Sequence, residues 1–324
     1  MPLVRRTVLG AAAALALALS TSASSAADPA ELRLDWATYN PLSLLLKERG
    51  YLEEALKPRG IKVRWVQSLG SNKALEFLNA GAIDIGSTAG AAALVARING
   101  NPIKAVYAFS RPEWTALVTR KDTGITKPAD LKGKRVAVTR GTDPHIFLIR
   151  ALQGAGLTEK DAKLLLLQHP DGRTALDRGD VDAWAGLDPM MAAAEIENGD
   201  VLFFRDAAAN TWGVLDVREA FAKDNPDLVR TVIAAYERVR AEALKDPAAL
   251  RNALVAATKL PEPVVARQLE RTDLSQPSVG ATQAEAIRAA GIALQQAGVI
   301  AADVNVPAAV DGLIDPAFNP QAGR

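Results

Sequence analysis

One feature restricts this chain more than any other: short β-rich runs alternate with stretches of helical spacing over most of its length. The runs LRLDW (32–36), IKVRWVQ (61–67), AIDIGS (82–87), IKAVYAF (103–109), TALVTR (115–120), RVAVT (135–139), KLLLLQ (163–168), VDAWAGL (181–187) and VLFFR (201–205) read as strands. Helical spacing fills the gaps at 41–56, 72–80, 89–98, in DPHIFLIRALQGAG and at 188–199. Strands separated by helices imply parallel sheets covered on both faces, an α/β fold. After about residue 217 the β signal fades, and REAFAKDN, LVRTVIAAYERVRAEALKD, PAALRNALVAATK, PVVARQLER and TQAEAIRAAGIALQQAG read as helices. No repeat of 20–50 residues is visible.

The N-terminus bears on location. Arg5 and Arg6 precede an apolar run from Val8 to Leu19, followed by small residues around Ser25-Ala26-Ala27, the three-part layout of a secretory signal. Cleavage is expected after Ala27, and the arginine pair leaves both twin-arginine and ordinary export open. The apolar run is shorter than the roughly 20 residues a membrane-crossing helix needs. The chain has no Cys, which excludes disulfides, a thiolate nucleophile, Cys-ligated zinc and a lipid-modified Cys; an exported chain of this kind suits a bacterial periplasm. The 297 residues that remain are enough for two lobes with their own cores. A net charge of +1, with no basic block interleaved with aromatics, makes nucleic acid a poor partner.

In open α/β sheets ligands bind beyond the carboxyl ends of the strands, so the turns that follow strands hold the candidates. Four lead straight into helices: Ala37-Thr38-Tyr39-Asn40-Pro41, Gly86-Ser87-Thr88-Ala89-Gly90, Arg140-Gly141-Thr142-Asp143-Pro144-His145 and Asp188-Pro189. The free N–H groups and positive dipole end of a helix start attract an anionic or strongly polar group, and Ser or Thr hydroxyls there add donors. Other chemistries lack their signatures: there is no GxxxxGK[ST] loop, no HExxH, no calcium loop, no dinucleotide-binding glycine pattern and no pair of carboxylates singled out for acid–base work. No cofactor or metal is expected.

EFLNAGAIDIGSTAG (76–90), ADLKGKRVAVTRGTDPHIFLIRALQGAGL (129–157), RGDVDAWAGLDPMMAAAE (178–195) and DVREAFAKDNPDLVR (216–230) together resemble the periplasmic ligand-receiving proteins of ABC importers for aliphatic sulfonates, taurine and nitrate. The resemblance covers nearly all the chain beyond the leader. It implies a two-lobed periplasmic binding protein of type II, each lobe a mostly parallel sheet flanked by helices, the lobes closing like jaws on one small molecule. Lobe I would be 28–115 with the helical tail 213–324 packed on it, and lobe II 116–212. A pyrimidine-precursor synthase of thiamine metabolism is a more distant resemblance, and its Cys-rich segment is missing here.

Each candidate has a structural reading beside the functional one. Asp143 before Pro144 reads as a helix cap or as a carboxylate facing the cleft. In the second case it would repel an anion, with Arg140 as an offset, so an oxyanion site would rest on Gly141 and Thr142. Sulfonate-binding relatives tend to have a small hydroxyl residue where Asp143 stands and often a His where His145 stands. His145 reads equally as a first-turn histidine, and His169 as a residue of a surface loop. Ser87 and Thr88 could cap the following helix, whereas the resemblance places such hydroxyls against the ligand's polar head. Tyr39 and Asn40 could line the opposite wall, with Asn40 also a good cap. Trp184 and Asp188 flank a lobe II strand end, where the family's usual aromatic before the Asp-Pro is Leu187. Trp36, Trp114 and Trp212 lie near a strand end or the crossings, and can cover an apolar ligand tail or pack in the core.

These readings lead to a monomeric binding protein that is not an enzyme. It captures a small organic anion, an aliphatic sulfonate or taurine-like compound, and delivers it to the membrane permease of an ABC importer. Two alternatives are a neutral or cationic ligand in the same fold, favoured if Asp143 and Asp188 both face the cleft, and a secreted enzyme using His145 with Asp143.

Overall fold

A computed structural model describes residues 28–320, so the leader expected over 1–27 lies outside the described residues. The first part of the chain runs β1 (Glu31–Trp36), α1 (Pro41–Arg49), α2 (Tyr51–Leu56), β2 (Lys62–Gln67), α3 (Ser71–Asn79), β3 (Ile85–Ala89), α4 (Gly90–Ile98) and β4 (Ile103–Pro112). It crosses into β5 (Leu117–Thr119), β6 (Arg135–Val138), α5 (Asp143–Gly154), β7 (Lys163–Leu166), α6 (His169–Arg178), β8 (Ala183–Ala185), α7 (Met190–Ala193) and β9 (Val201–Phe204). It then crosses back into β10 (Gly213–Arg218), α8 (Glu219–Asp224), α9 (Pro226–Lys245), α10 (Pro247–Thr258), α11 (Glu262–Glu270), β11 (Thr272–Asp273), α12 (Ala281–Gln296) and α13 (Val306–Leu313).

Two sheets result. The first has the order β11-β4-β10-β3-β1-β2 and the second β7-β6-β8-β5-β9, with helices around each, so the fold is the two-lobed α/β architecture. In lobe I, β1 pairs in parallel with β2 and β3, with Leu34 opposite both Trp65 and Ile85. In lobe II, β6 pairs in parallel with β7 and β8. Both sheets are mixed where alternation alone implied parallel ones. Each receives one strand directly from the other lobe, and that strand enters against the grain: β10 lies antiparallel between β3 and β4, and β5 antiparallel between β8 and β9.

The alternating residues of β6 divide the lobe II core as a strand's period of two requires. Val136 and Val138 pack with Phe147 and Leu152, while Ala137 packs with Leu176 and Trp184. The lobe I core reaches across to Ile146, Ile149 and Leu187 of lobe II, so part of the seam between lobes is dry. Of the helices after β10, α9 and α10 lie against α1, and α12 and α13 against α4. A Cβ on Gly90 would stand 2.6 Å from Ile287 and one on Gly291 2.6 Å from Leu94, so both glycines let α4 and α12 approach closely. Helix contacts also bridge the lobes: α11 lies against α7, and both α12 and α4 lie against α5.

Candidate functional site

The turns at the carboxyl ends of the parallel strands meet between the lobes, most closely at the two sheet edges. After β2, Gly70 precedes α3, and Ser71 Oγ accepts from Ala89 N–H at 2.9 Å, which pins the start of α3 to the end of β3. A Cβ on Gly70 would stand 3.1 Å from both Cδ2 and Nε2 of His169, which follows the opposite edge strand β7. A Cβ on Gly141, in the turn after β6, would stand 3.8 Å from Asn72 Cβ. Thus the first turn of α3 faces the entries to both α5 and α6. Among the described residues the N–H groups of Ser71, Asn72, Gly141, Thr142 and His169 have no acceptor. Three helix starts from two lobes therefore offer donors and positive dipole ends to one region.

The RGTDPH turn is arranged differently from either reading of Asp143. Thr142 holds the cap position and Asp143 is the first helical residue, with its carboxylate turned from its own helix to the chain crossings. Oδ2 accepts from Trp114 Nε1 at 2.8 Å and from Thr211 N–H at 2.9 Å, and Oδ1 from Thr211 Oγ1 at 2.7 Å. Burial raises its pKa against the pull of these bonds. The Thr142 hydroxyl donates to Thr139 O at 2.7 Å, so the donors left free at this turn are backbone N–H groups. His145 pairs through Nε2 with Glu159 at 2.8 Å, and that bond lowers the Glu159 pKa. Asp143 and His145 thus take separate partners and do not form a base with its orienting group. Arg140 is exposed, with no ion pair among the described residues.

Tyr39, Asn40, Ser87 and Thr88 belong to a buried polar network beneath the strand ends of lobe I. Asn40 caps α1 by accepting from Ser43 N–H, and its Nδ2 donates to Ser87 Oγ at 2.8 Å. Ser87 Oγ donates to Asp35 at 2.9 Å, Tyr39 donates to Ser87 O at 2.9 Å, and Thr88 Oγ1 donates to Asp216 at 2.5 Å. The Ser87 and Thr88 hydroxyl protons are therefore directed within lobe I. Burial pushes Asp35 up to about 6 and Asp216 up to about 8, and it raises the Tyr39 and Tyr236 hydroxyls.

Asp188 also faces a protein partner. Its carboxylate accepts from Ala192 N–H at 2.9 Å and lies 3.4 Å from Arg271 Nη1, while the same guanidinium bonds Glu195. Arg267 joins Glu195 at 2.6 Å. This is a latch between the tail and lobe II: Arg267 lies on α11 and Arg271 just past its end, opposite Asp188 and Glu195 at either end of α7. Burial pushes Asp188 up to about 7, with Arg271 opposing.

The aromatic candidates separate. Trp184 is wholly buried in the lobe II core, under α6, where only Gly172 fits because a Cβ there would stand 2.8 Å from Trp184 Nε1. Trp212 is buried at the second crossing with the Arg111 guanidinium 5.2 Å from its ring centre. Trp36 is half-buried with Lys47 Nζ 5.7 Å from its ring centre. Trp114 stacks edge-on with Tyr39 at 5.9 Å.

The reading of His169 is overturned as well: it is no surface-loop residue. It opens α6 and is fully buried, with both ring nitrogens unpaired. The sequence reading also passed over Gly70, Ser71, Asn72 and Arg271. SLGSNK and LQHPDG both follow strands, so the rule that selected four turns would have selected these two as well.

A family model described as NMT1/THI5 like matches residues 43–250. The chain is 30% identical over 271 residues, 82% of its length and 84% of the relative's, to the "Putative aliphatic sulfonates-binding protein" of Escherichia coli K12. Among solved structures it superposes on the alkanesulfonate-binding protein SsuA from Xanthomonas axonopodis pv. citri bound to MOPS, with a TM-score of 0.80 and 26% identity over 88% of this chain and 99% of that one. The periplasmic aliphatic sulphonate binding protein SsuA from Escherichia coli gives a TM-score of 0.74 at 26% identity over 92% and 95%.

Proposed function

The chain belongs to the NMT1/THI5-like family, and from that premise we infer that it is the periplasmic solute-binding component of an ABC importer. It captures a small organic anion, an aliphatic sulfonate or taurine-like compound, and presents it to a membrane permease. The observation that carries this reading is the meeting of the α3, α5 and α6 starts across the seam, with backbone donors unpaired on both sides. A ligand that bonds to both sides has a higher affinity for the closed arrangement, and so shifts the population toward it. The closing bodies are 28–115 with 213–324 on one side and 116–212 on the other, and the protein acts as a monomer. Closure brings together the surface that the permease recognises.

Binding without turnover is supported by the separation of Asp143 from His145, each held by a different partner. A cationic ligand would need Asp143 and Asp188 in the cleft, whereas the first bonds Trp114 and Thr211 and the second faces Arg271. A calorimetric panel of ethanesulfonate, taurine, nitrate and alkylamines on the chain without residues 1–27 tests the reading. Sulfonate binding is expected; binding of an alkylamine alone would overturn it.

A further inference from the structure

Among the described residues, His169 is a buried polar side chain that the fold leaves unexplained. Both of its ring nitrogens lack a partner although the residue is fully buried. A buried imidazole without hydrogen bonds is destabilising, and such a group calls for a reason. No packing need dictates it, because an apolar ring would fill the same space without that cost. Its position is particular. It is the first residue of α6, at the end of edge strand β7, and its Cδ2–Nε2 edge is turned across the seam to Gly70 at the start of α3. Asn72 Oδ1, also buried and unpaired, stands 2.9 Å from the same Cβ position on Gly70. The His169 ring nitrogens of lobe II thus stand beside the free N–H groups of Ser71 and Asn72 in lobe I, whereas Asn72 Oδ1 is an acceptor and adds no donor.

We propose that His169 is a ligand-contacting specificity residue, which donates an imidazole N–H to an oxygen of the bound head group between α3 and α6. The inference rests on the anion-binding reading above and deepens it by naming a residue that discriminates between head groups. Donors arrive from three directions: the α3 start, the Gly141-Thr142 turn and His169. A tetrahedral sulfonate presents three acceptor oxygens in different directions, whereas a planar carboxylate presents two in one plane, so this arrangement selects the sulfonate. Burial holds the imidazole neutral, with its pKa pushed down to about 3, so its donor is a hydrogen bond without a charge.

The test uses the chain without residues 1–27, His169→Phe and His169→Asn, with ethanesulfonate and propionate as probes, calorimetry for affinity and thermal melting without ligand. His169→Phe keeps an aromatic ring and removes both nitrogens. The expected result is at least a tenfold loss of ethanesulfonate affinity in His169→Phe, with ligand-free melting unchanged or higher. His169→Asn, which retains an N–H donor, should recover part of the loss, and the preference for ethanesulfonate over propionate should shrink in the Phe variant. Unchanged affinity in His169→Phe would overturn the role of His169 while leaving the anion-binding reading intact. An affinity loss matched by a lower melting temperature in both variants would reduce the residue to packing. Failure of the unsubstituted chain to bind either anion would sink both inferences.

Discussion

The Asp143 carboxylate accepts a hydrogen bond from Trp114 Nε1 at 2.8 Å, so a side chain at the head of α5 in lobe II holds the first chain crossing. Its bonds to Thr211 hold the second crossing as well. One buried carboxylate therefore ties lobe II to both segments about which the lobes would move. Asp143→Ala leaves Trp114 Nε1 and both Thr211 donors without an acceptor in a buried site. The expected cost is about 2–4 kcal/mol in chemical denaturation, from unmade bonds at roughly 1–3 kcal/mol per group. A change below about 0.5 kcal/mol would show that the carboxylate is replaceable by water.

Arg271 serves the other side of the seam. It is 5% exposed at its side chain and meets Asp188 and Glu195, so Arg271→Met leaves Asp188 buried without its cation. Breaking one side of such a pair costs about 3–5 kcal/mol. X-ray scattering of the variant should also show a larger radius of gyration than the unsubstituted chain. Equal radii would mean that the latch stabilises lobe II alone.

Gly70 reports whether the edge turns meet in the bound state. Its φ of 166° is extended backbone that any residue adopts, so a side chain there meets only what lies opposite. In Gly70→Val the new side chain would press on His169 and Asn72 Oδ1. Ligand-free melting should change little, while anion affinity should fall at least tenfold, about 1.4 kcal/mol. Calorimetry decides: undiminished affinity would place the ligand away from this turn.

Thr142 supplies a contrast. Because its hydroxyl proton goes to Thr139 O, Thr142→Val removes a turn bond worth about 1 kcal/mol and leaves the backbone donor in place. Melting should fall modestly with affinity within about threefold, 0.65 kcal/mol, of the unsubstituted chain. A loss of affinity without a loss of stability would assign the hydroxyl to the ligand.

The buried acids of lobe I set a pH dependence. Burial, the largest cause for each, pushes Asp35 from 3.8 up to about 6 and Asp216 from 3.8 up to about 8. Both therefore keep protons in the folded chain at pH values where the unfolded chain has released them. Their contribution favours the folded state most below 3.8 and is lost as pH rises, through about 6 for Asp35 and about 8 for Asp216. Asp216→Asn, which still accepts from Thr88, should raise the melting temperature relative to the unsubstituted chain at pH 8 and match it at pH 4. An equal shift at both values would show that Asp216 is ionised when folded.

Much of this architecture is legible in the sequence because alternation, helix starts and strand ends are local signals. The nine strand runs all overlap observed strands, and DPHIFLIRALQG forms the expected α5. What escaped depends on partners distant along the chain. GVLDVR becomes a central strand because β3 and β4 pair with it, although Asp216 interrupts its apolar pattern. His169 reads as a surface-loop residue, yet it opens α6, and Gly172 is where that helix must pass over Trp184. The same dependence separates the candidate residues. Sequence shows that Asp143 starts a helix; only the fold shows that its carboxylate turns to Trp114 and Thr211. Likewise the edge positions of β2 and β7, which bring Gly70 to His169, follow from strand order and from no local pattern.

The proposed function requires that a sulfonate-bearing ligand draw the two lobes together at the facing starts of α3, α5 and α6. Small-angle scattering of the chain without residues 1–27, titrated with ethanesulfonate and in parallel with ethylamine, tests it most directly. A radius of gyration that falls saturably with ethanesulfonate and stays constant with ethylamine is the expected result. Compaction by the amine, or saturable sulfonate binding with no change of radius, would contradict the account.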